Sequence, residues 1–241
     1  GNHPALMDDA KLALALAYLS QDYDAAARML LETLRQQRPH SASSARAAYY
    51  LALLAIGGEE EDLAKTLCEE TLKGAPKSEE AVDARLLLAE ILAERASDRE
   101  AIAWLGEAYR STGLLRRHRA KLAKRIADLA RLDRSYLEAI RWYQTAMELV
   151  PTFVPEATYW LASCYEAQGD VSLAMETYQR VTQPPWRLRS RLALAKLLER
   201  DERFREAEAI YQELASEAGP EAPAFQERLE ALREARQIKE R

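Results

Sequence analysis

Side chains with intrinsic chemistry are few and scattered in this 241-residue chain. His3, His40 and His118 are its three imidazoles, and none has a Cys, Ser or Asp partner at a spacing that builds a triad or a metal site. No phosphate loop, dinucleotide fingerprint or metal-ligand cluster is written into it. The expectation is therefore no catalytic, cofactor-binding or metal-binding residue, and a protein that is not an enzyme. Cys68 and Cys164 sit at helix-type positions about a hundred residues apart, where a thiol packs as a small apolar group rather than forming a disulfide.

Two charge clusters stand out. Arg116-Arg117-His118-Arg119, continued by Lys121, Lys124 and Arg125, makes a local positive field that a phosphate, nucleic acid or acidic protein could use. The competing reading pairs these cations with Glu and Asp of adjacent helices. It is preferred, because no aromatic residues interleave for base stacking. Glu59-Glu60-Glu61-Asp62 suits a helix N-terminus, where carboxylates meet unpaired amides. A calcium loop would need alternating ligands about a central Gly, and that order is missing.

The elements that must carry these residues are helices. Hydrophobic content of 48% with 30% charge is globular, and only eight Gly and nine Pro interrupt long Ala/Leu/Glu/Arg stretches. No apolar run is long enough to span a membrane. The net charge of −5 argues against wholesale nucleic-acid binding. Asn occurs only at position 2 while Arg is plentiful, a usage expected of a GC-rich bacterial genome. The Gly1-Asn2-His3 start lacks an initiator Met and reads as a truncated remnant, so the missing signal peptide carries no weight.

Pro39 and Pro76 lie 37 residues apart and Pro151 lies 75 further on, which is an internal repeat. Its fullest unit reads Leu161-Ala162, Tyr165, Gly169-Asp170, Ala174, Tyr178 and Val181. The small residues let antiparallel helices approach, and the large ones fill the gaps beside them. Equivalent small residues fall at Ala27, Ala64, Ala101, Ala139, Ala174 and Ala207, spaced 37, 37, 38, 35 and 33. The first unit needs a one-residue slip, since Tyr23 suits a frame ending at Ala26. The turn glycine of the fifth unit is replaced elsewhere by residues such as Asp22, Glu59 and Arg134.

This pattern resembles the tetratricopeptide repeat (TPR) over nearly the whole chain. The Pro39-His40-Ser41 and Pro76-Lys77-Ser78 junctions resemble those of bacterial envelope and periplasmic TPR scaffolds. The resemblance implies an all-α, right-handed TPR superhelix (an α-solenoid) of about six helix-turn-helix repeats. These span about 8–40, 45–77, 82–113, 120–152, 155–185 and 188–218, an array within 1–218. Gly219-Pro220-Glu221-Ala222-Pro223 then breaks the chain before a capping helix within 219–241, with Phe225, Leu229 and Leu232 on one stripe.

In such an array the first helix of each pair lines the concave groove. The partner-binding candidates are Arg46, Tyr49, Leu53, Leu86, Glu90, Lys121, Lys124, Asp128, Arg131, Tyr159, Ser163, Arg189 and Lys196. They suit a protein or peptide segment with apolar and acidic anchors. The carboxylate clamp of chaperone-tail TPRs is not expected, because its Asn positions read Leu16 and Tyr50 here.

The expected function is a non-catalytic protein–protein interaction scaffold, in bacterial envelope assembly or secretion, with a periplasmic or membrane-associated location preferred over a cytoplasmic one. Two alternatives stand beside it. One is a homo-oligomer in which Phe153, Trp186 or the capping helix docks another copy. The other is a regulatory TPR segment of a larger enzyme or sensor. Nucleic-acid binding through Arg116–Arg134 is a fourth, less favoured reading, and would weaken steeply with salt.

Overall fold

The computed structural model describes residues 4–95, 98–111, 113–217 and 222–239, and the helices dominate. The Gly1-Asn2-His3 start and Gly219, Pro220 and Glu221 of the expected break lie outside the described residues. Helices run α1 Pro4–Leu19, α2 Asp24–Gln37, α3 Ala42–Gly57, α4 Glu61–Gly74, α5 Glu79–Arg95, α6 Asp98–Arg110 and α7 Arg116–Leu132. They continue as α8 Tyr136–Leu149, α9 Val154–Gln168, α10 Val171–Gln179, α11 Trp186–Arg200, α12 Phe204–Glu217 and α13 Ala222–Lys239.

The chain forms two compact units, Gly1–Asp133 and Arg134–Arg241, divided at a turn inside the fourth expected repeat. In the first unit α1 packs on α2, α3 on α4 and α5 on α6, each pair resting on the next, and α7 closes on α5 and α6. In the second, α8 packs on α9, α9 on α10, α10 and α9 on α11, α11 on α12, and α12 on α13.

Local chemistry starts and stops the helices in register. Ser41 Oγ accepts the Ser44 amide at 3.0 Å, and one repeat later Ser78 Oγ accepts the Ala81 amide at 3.1 Å. Each serine follows a proline by two residues, so the Pro-x-Ser junction is an N-cap preceded by a residue that cannot prolong the previous helix. At the other end of the pair, Asp22, Glu59, Arg134 and Glu202 adopt φ of 57–62°, and Gly169 adopts 88°. The following amide bonds back five residues, Tyr23 to Tyr18, Glu60 to Ala55, Asp170 to Tyr165 and Arg203 to Leu198. That is the Schellman closure of a helix, which needs a left-handed residue where glycine is cheapest. At Asp22, Glu59, Arg134 and Glu202 the missing glycine thus left the backbone conformation unchanged, and Gly57-Gly58 do not occupy it.

Between the helices the small residues do what their spacing implies. All six crossing alanines, Ala27, Ala64, Ala101, Ala139, Ala174 and Ala207, have no exposed surface. Ala26 keeps some, so Ala27 is the crossing residue and no slip occurs; Tyr23 belongs to the turn. Four residues beyond each crossing alanine lies a buried filler: Leu31, Cys68, Leu105, Tyr143, Tyr178 and Tyr211. Thr71 is buried in the next layer and donates its hydroxyl to the Leu67 carbonyl at 3.0 Å. Close approach also decides Gly74, where a Cβ would lie 2.5 Å from that of Ala45.

The Leu-Ala pair, Ile126-Ala127 in the fourth unit, is buried in every unit except the first, where Leu14 is 47% exposed. Helix α1 packs on α2 and α3, and neither covers that side of it. Helix α13 lays Leu229 and Leu232, both buried, against the second core, and Phe225 meets Tyr211 with ring centres 6.2 Å apart.

A non-glycine residue held left-handed carries about 1–2 kcal/mol of strain, partly offset by the flexibility glycine adds to the unfolded chain. Glu59→Gly and Glu202→Gly are each expected to stabilise the protein by about 0.5–1 kcal/mol, and Gly74→Ala to destabilise it. Urea unfolding followed by circular dichroism checks both signs, and unchanged midpoints for the glycine variants would refute the turn assignment.

Candidate functional site

The expected contact residues fall on the exposed sides of α3, α5 and α7 in the first unit, and of α9 and α11 in the second. The two faces differ in how their charges are used.

On the first, cations and carboxylates are paired between repeats. Arg46 Nε donates to Glu80 Oε1 at 2.8 Å, and the Tyr50 hydroxyl reaches the same oxygen at 3.4 Å. Lys121 Nζ lies 3.0 Å from Asp83 Oδ1 and 3.5 Å from Glu79 Oε1. Arg117 lies 3.9 Å from Glu79, and Arg125 lies 3.6 Å from Glu90. Lys124 and Asp128 pair along α7 at 3.1 Å, while Arg119 lies over the Tyr109 ring. The basic junction is therefore largely taken up by the acidic side of α5. Each exposed pair is worth little by itself, about 0–1 kcal/mol, but together they leave the face nearly neutral.

Apolar groups share it. Tyr49 and Tyr50 meet edge-on at 5.2 Å, Leu86 is half-buried, and Leu53 is 42% exposed. Burial, with Asp83 and Glu80 nearby, raises the Tyr49 phenol well above its usual range and pushes Tyr50 up to about 12. Arg131 is half-buried near the end of α7.

His118, the third residue of α7, is 1% exposed, and neither ring nitrogen has a hydrogen-bond partner among the described residues. Burial is the main force lowering its pKa, helped by Arg117 and Lys121 and opposed by Glu79 and Asp83. Cys68 and Cys164 are buried free thiols, and burial pushes Cys68 up to about 12. Among the described residues no group of three or more His, Cys, Asp and Glu is arranged to hold a metal ion.

The second face is more aromatic and less balanced. Tyr159 stacks against Trp160, Tyr178 and Trp186 with ring centres 4.8, 5.7 and 5.3 Å away. Arg189 lies over the Trp186 ring at 4.8 Å. Trp186 thus covers a seam between repeats, and Phe153 is likewise half-buried. Tyr178 donates to Glu166 Oε2 at 3.2 Å, and Arg200 pairs with Glu166 Oε1 at 2.8 Å. Ser163 lies between Tyr159 and Glu166 on the same stripe of α9. Beside it a cleft of about 510 Å³ is lined by Glu166, Leu192, Lys196, Tyr211, Phe225 and Arg228, among others.

Tyr159, Ser163, Arg189 and Lys196 were expected on this face from the sequence, whereas Glu166, Arg200, Phe225 and Arg228 beside them were not. A signal for two of them existed: Glu166 and Arg200 are 34 residues apart, like the Asp9–Ser43, Arg46–Glu80 and Arg99–Asp133 pairs. Opposite polarity at the repeat offset marks neighbours across a helix seam.

Residues 156–183, which span α9 and α10, match the family model described as the tetratricopeptide repeat. Solved structures agree over much more of the chain. PilF of Pseudomonas aeruginosa is 20% identical with a TM-score of 0.65, covering 92% of this chain and 97% of its own. PilW, described as a widely conserved type IV pilus biogenesis factor, is 17% identical with a TM-score of 0.65, covering 90% and 94%. A thermophilic TPR protein of Thermus thermophilus is 20% identical with a TM-score of 0.53, covering 79% and 98%. No curated protein matches the chain in sequence. The fold is an α-solenoid of TPR hairpins, and the chain resembles bacterial TPR scaffolds.

The buried imidazole gives a test of this packing. His118 has a folded pKa below its unfolded value of about 6.5, so the unfolded chain binds the extra proton first. Its contribution is complete above about pH 6.5 and is lost as pH falls from there through the lower folded value. Wild type should lose stability in urea between neutral and mildly acidic pH, and His118→Phe should lose less. Equal losses would show that the ring is not held neutral in the fold.

Proposed function

We propose that this protein is a non-catalytic interaction scaffold that holds a protein or peptide segment on the exposed sides of its A helices, the first of each pair, the second being B. The observation that carries the reading is the second face. There, aromatic rings, an open apolar cleft and cations lie along α9, α11 and α13 of one unit. A TPR fold supports it, since proteins of this fold generally serve as non-catalytic interaction scaffolds. Apolar anchors flanked by charge suit an extended or helical segment better than a small molecule.

The setting we propose is bacterial envelope assembly or secretion, in the periplasm or at a membrane. Its support is the likeness in fold to PilF and to the pilus biogenesis factor PilW. No helix among the described residues is long and apolar enough to cross a membrane.

Self-association is a second reading, favoured by α1 rather than by Phe153 or Trp186. Leu6, Met7 and Leu14 are 66%, 50% and 47% exposed there. Mass that rises with concentration in sedimentation, and stays monomeric in Leu6→Ser/Leu14→Ser, would establish it.

For the groove reading, a photo-crosslinking residue at Leu53 or Ser163 should capture a partner in extracts of the source cell. The same residue at Met29 or Leu137, exposed on B helices, should capture none. Crosslinks confined to the B-helix positions would overturn the proposal.

A further inference from the structure

The two faces differ in their balance of charge. On α3, α5 and α7 the cations Arg46, Lys121, Lys124 and Arg125 each face a carboxylate. On α9, α11 and α13 two carboxylates, Glu166 and Glu199, lie at the cleft. Both are already engaged, Glu166 by Arg200 and Tyr178, and Glu199 by Arg228. Arg189 and Lys196 remain, and neither has a carboxylate partner among the described residues.

Their placement is ordered. Arg189, Leu192, Lys196 and Arg200 recur at helical spacing on one stripe of α11. Seven residues of helix separate the two uncompensated cations, about 10 Å along the axis. The Arg189 guanidinium lies over the Trp186 ring, 4.8 Å from its centre, a cation–π contact that leaves N–H groups for a carboxylate acceptor. Lys196 lies beside the cleft lined by Leu192 and Phe225.

We infer that the second unit binds an acidic protein segment carrying two carboxylates about 10 Å apart. The carboxylates dock on Arg189 and Lys196, and an apolar side chain between them enters the cleft beside Leu192 and Phe225. This rests on the groove reading and specifies its partner. In an extended chain side chains share a face every second residue, so two acidic residues flanking the apolar anchor on that face stand four positions apart, about 13 Å, and the long side chains on both partners take up the difference. The apolar cleft and the chain's net charge of −5 favour such a segment over a nucleic acid, whose backbone would want a larger positive field.

The experiment uses the whole chain on an array of synthetic peptides. Each peptide carries two glutamates, at separations from adjacent to about eight residues, around a leucine. Signal should peak at a separation of four, with the leucine midway, and the glutamine counterparts should bind about tenfold more weakly. Measured by fluorescence polarisation, Arg189→Glu and Lys196→Glu should each raise the Kd of the best peptide about tenfold. Lys65→Glu, on exposed α4 surface, should leave it unchanged.

Equal binding of glutamine peptides, indifference to either reversal, or no binding by any peptide would overturn the inference. So would tighter binding of a single-stranded oligonucleotide at the same face. None of these outcomes decides the groove reading itself, which the crosslinking experiment tests without reference to charge.

Discussion

The fold depends on how closely two helices can cross. At each crossing stands an alanine with no exposed surface, and a single methyl group sets the interaxial distance at the short end of the range for packed helices. Everything else is measured from that point. The filler four residues on, whether Leu31, Cys68 or Tyr143, varies in size because it occupies the space the alanine leaves open. A larger side chain at the crossing would overpack one hairpin and displace the repeats stacked on it. Ala45 and Gly74 apply the same constraint at the helix ends, where even a methyl on Gly74 would collide.

The turns illustrate a different balance. Asp22, Glu59 and Glu202 hold the left-handed position of their hairpin turns, although such side chains tolerate this backbone poorly. The structure keeps the geometry because the six-to-one hydrogen bond and the hairpin packing on either side require the chain to reverse there. Local strain is borne by tertiary packing, so the turn is specified by the two helices it joins rather than by its own residues.

Charge follows the repeat as closely as packing does. Pairs such as Arg46 with Glu80 and Glu166 with Arg200 join equivalent faces of successive A helices. They neutralise most of a surface that is rich in both signs, and the basic stretch at the start of α7 is absorbed in this way by the acidic side of α5. Compensation is less complete on α11, where arginine and lysine outnumber the carboxylates facing them. The surface with charge left over is therefore in the second unit, beside its aromatic cluster, rather than at the densest run of arginines in the chain.

The helix pairs, the crossing alanines, the buried fillers and the Pro-x-Ser junctions were legible in the residues alone. Each is a short-range pattern that repeats, and repetition makes a weak signal strong. The exposure of Leu14 and the burial of His118 were not legible, since each depends on which helix lies alongside. Nor could the run Arg116–Arg125 disclose that Glu79, Asp83 and Glu90 stand opposite it, or Lys196 that it makes no ion pair among the described residues. Sequence by itself determined the architecture, because helix period, small-residue spacing and turn position are properties of neighbours along the chain. Only the tertiary structure decided which charges remain available to a partner, because compensation depends on distances between residues some 34 positions apart.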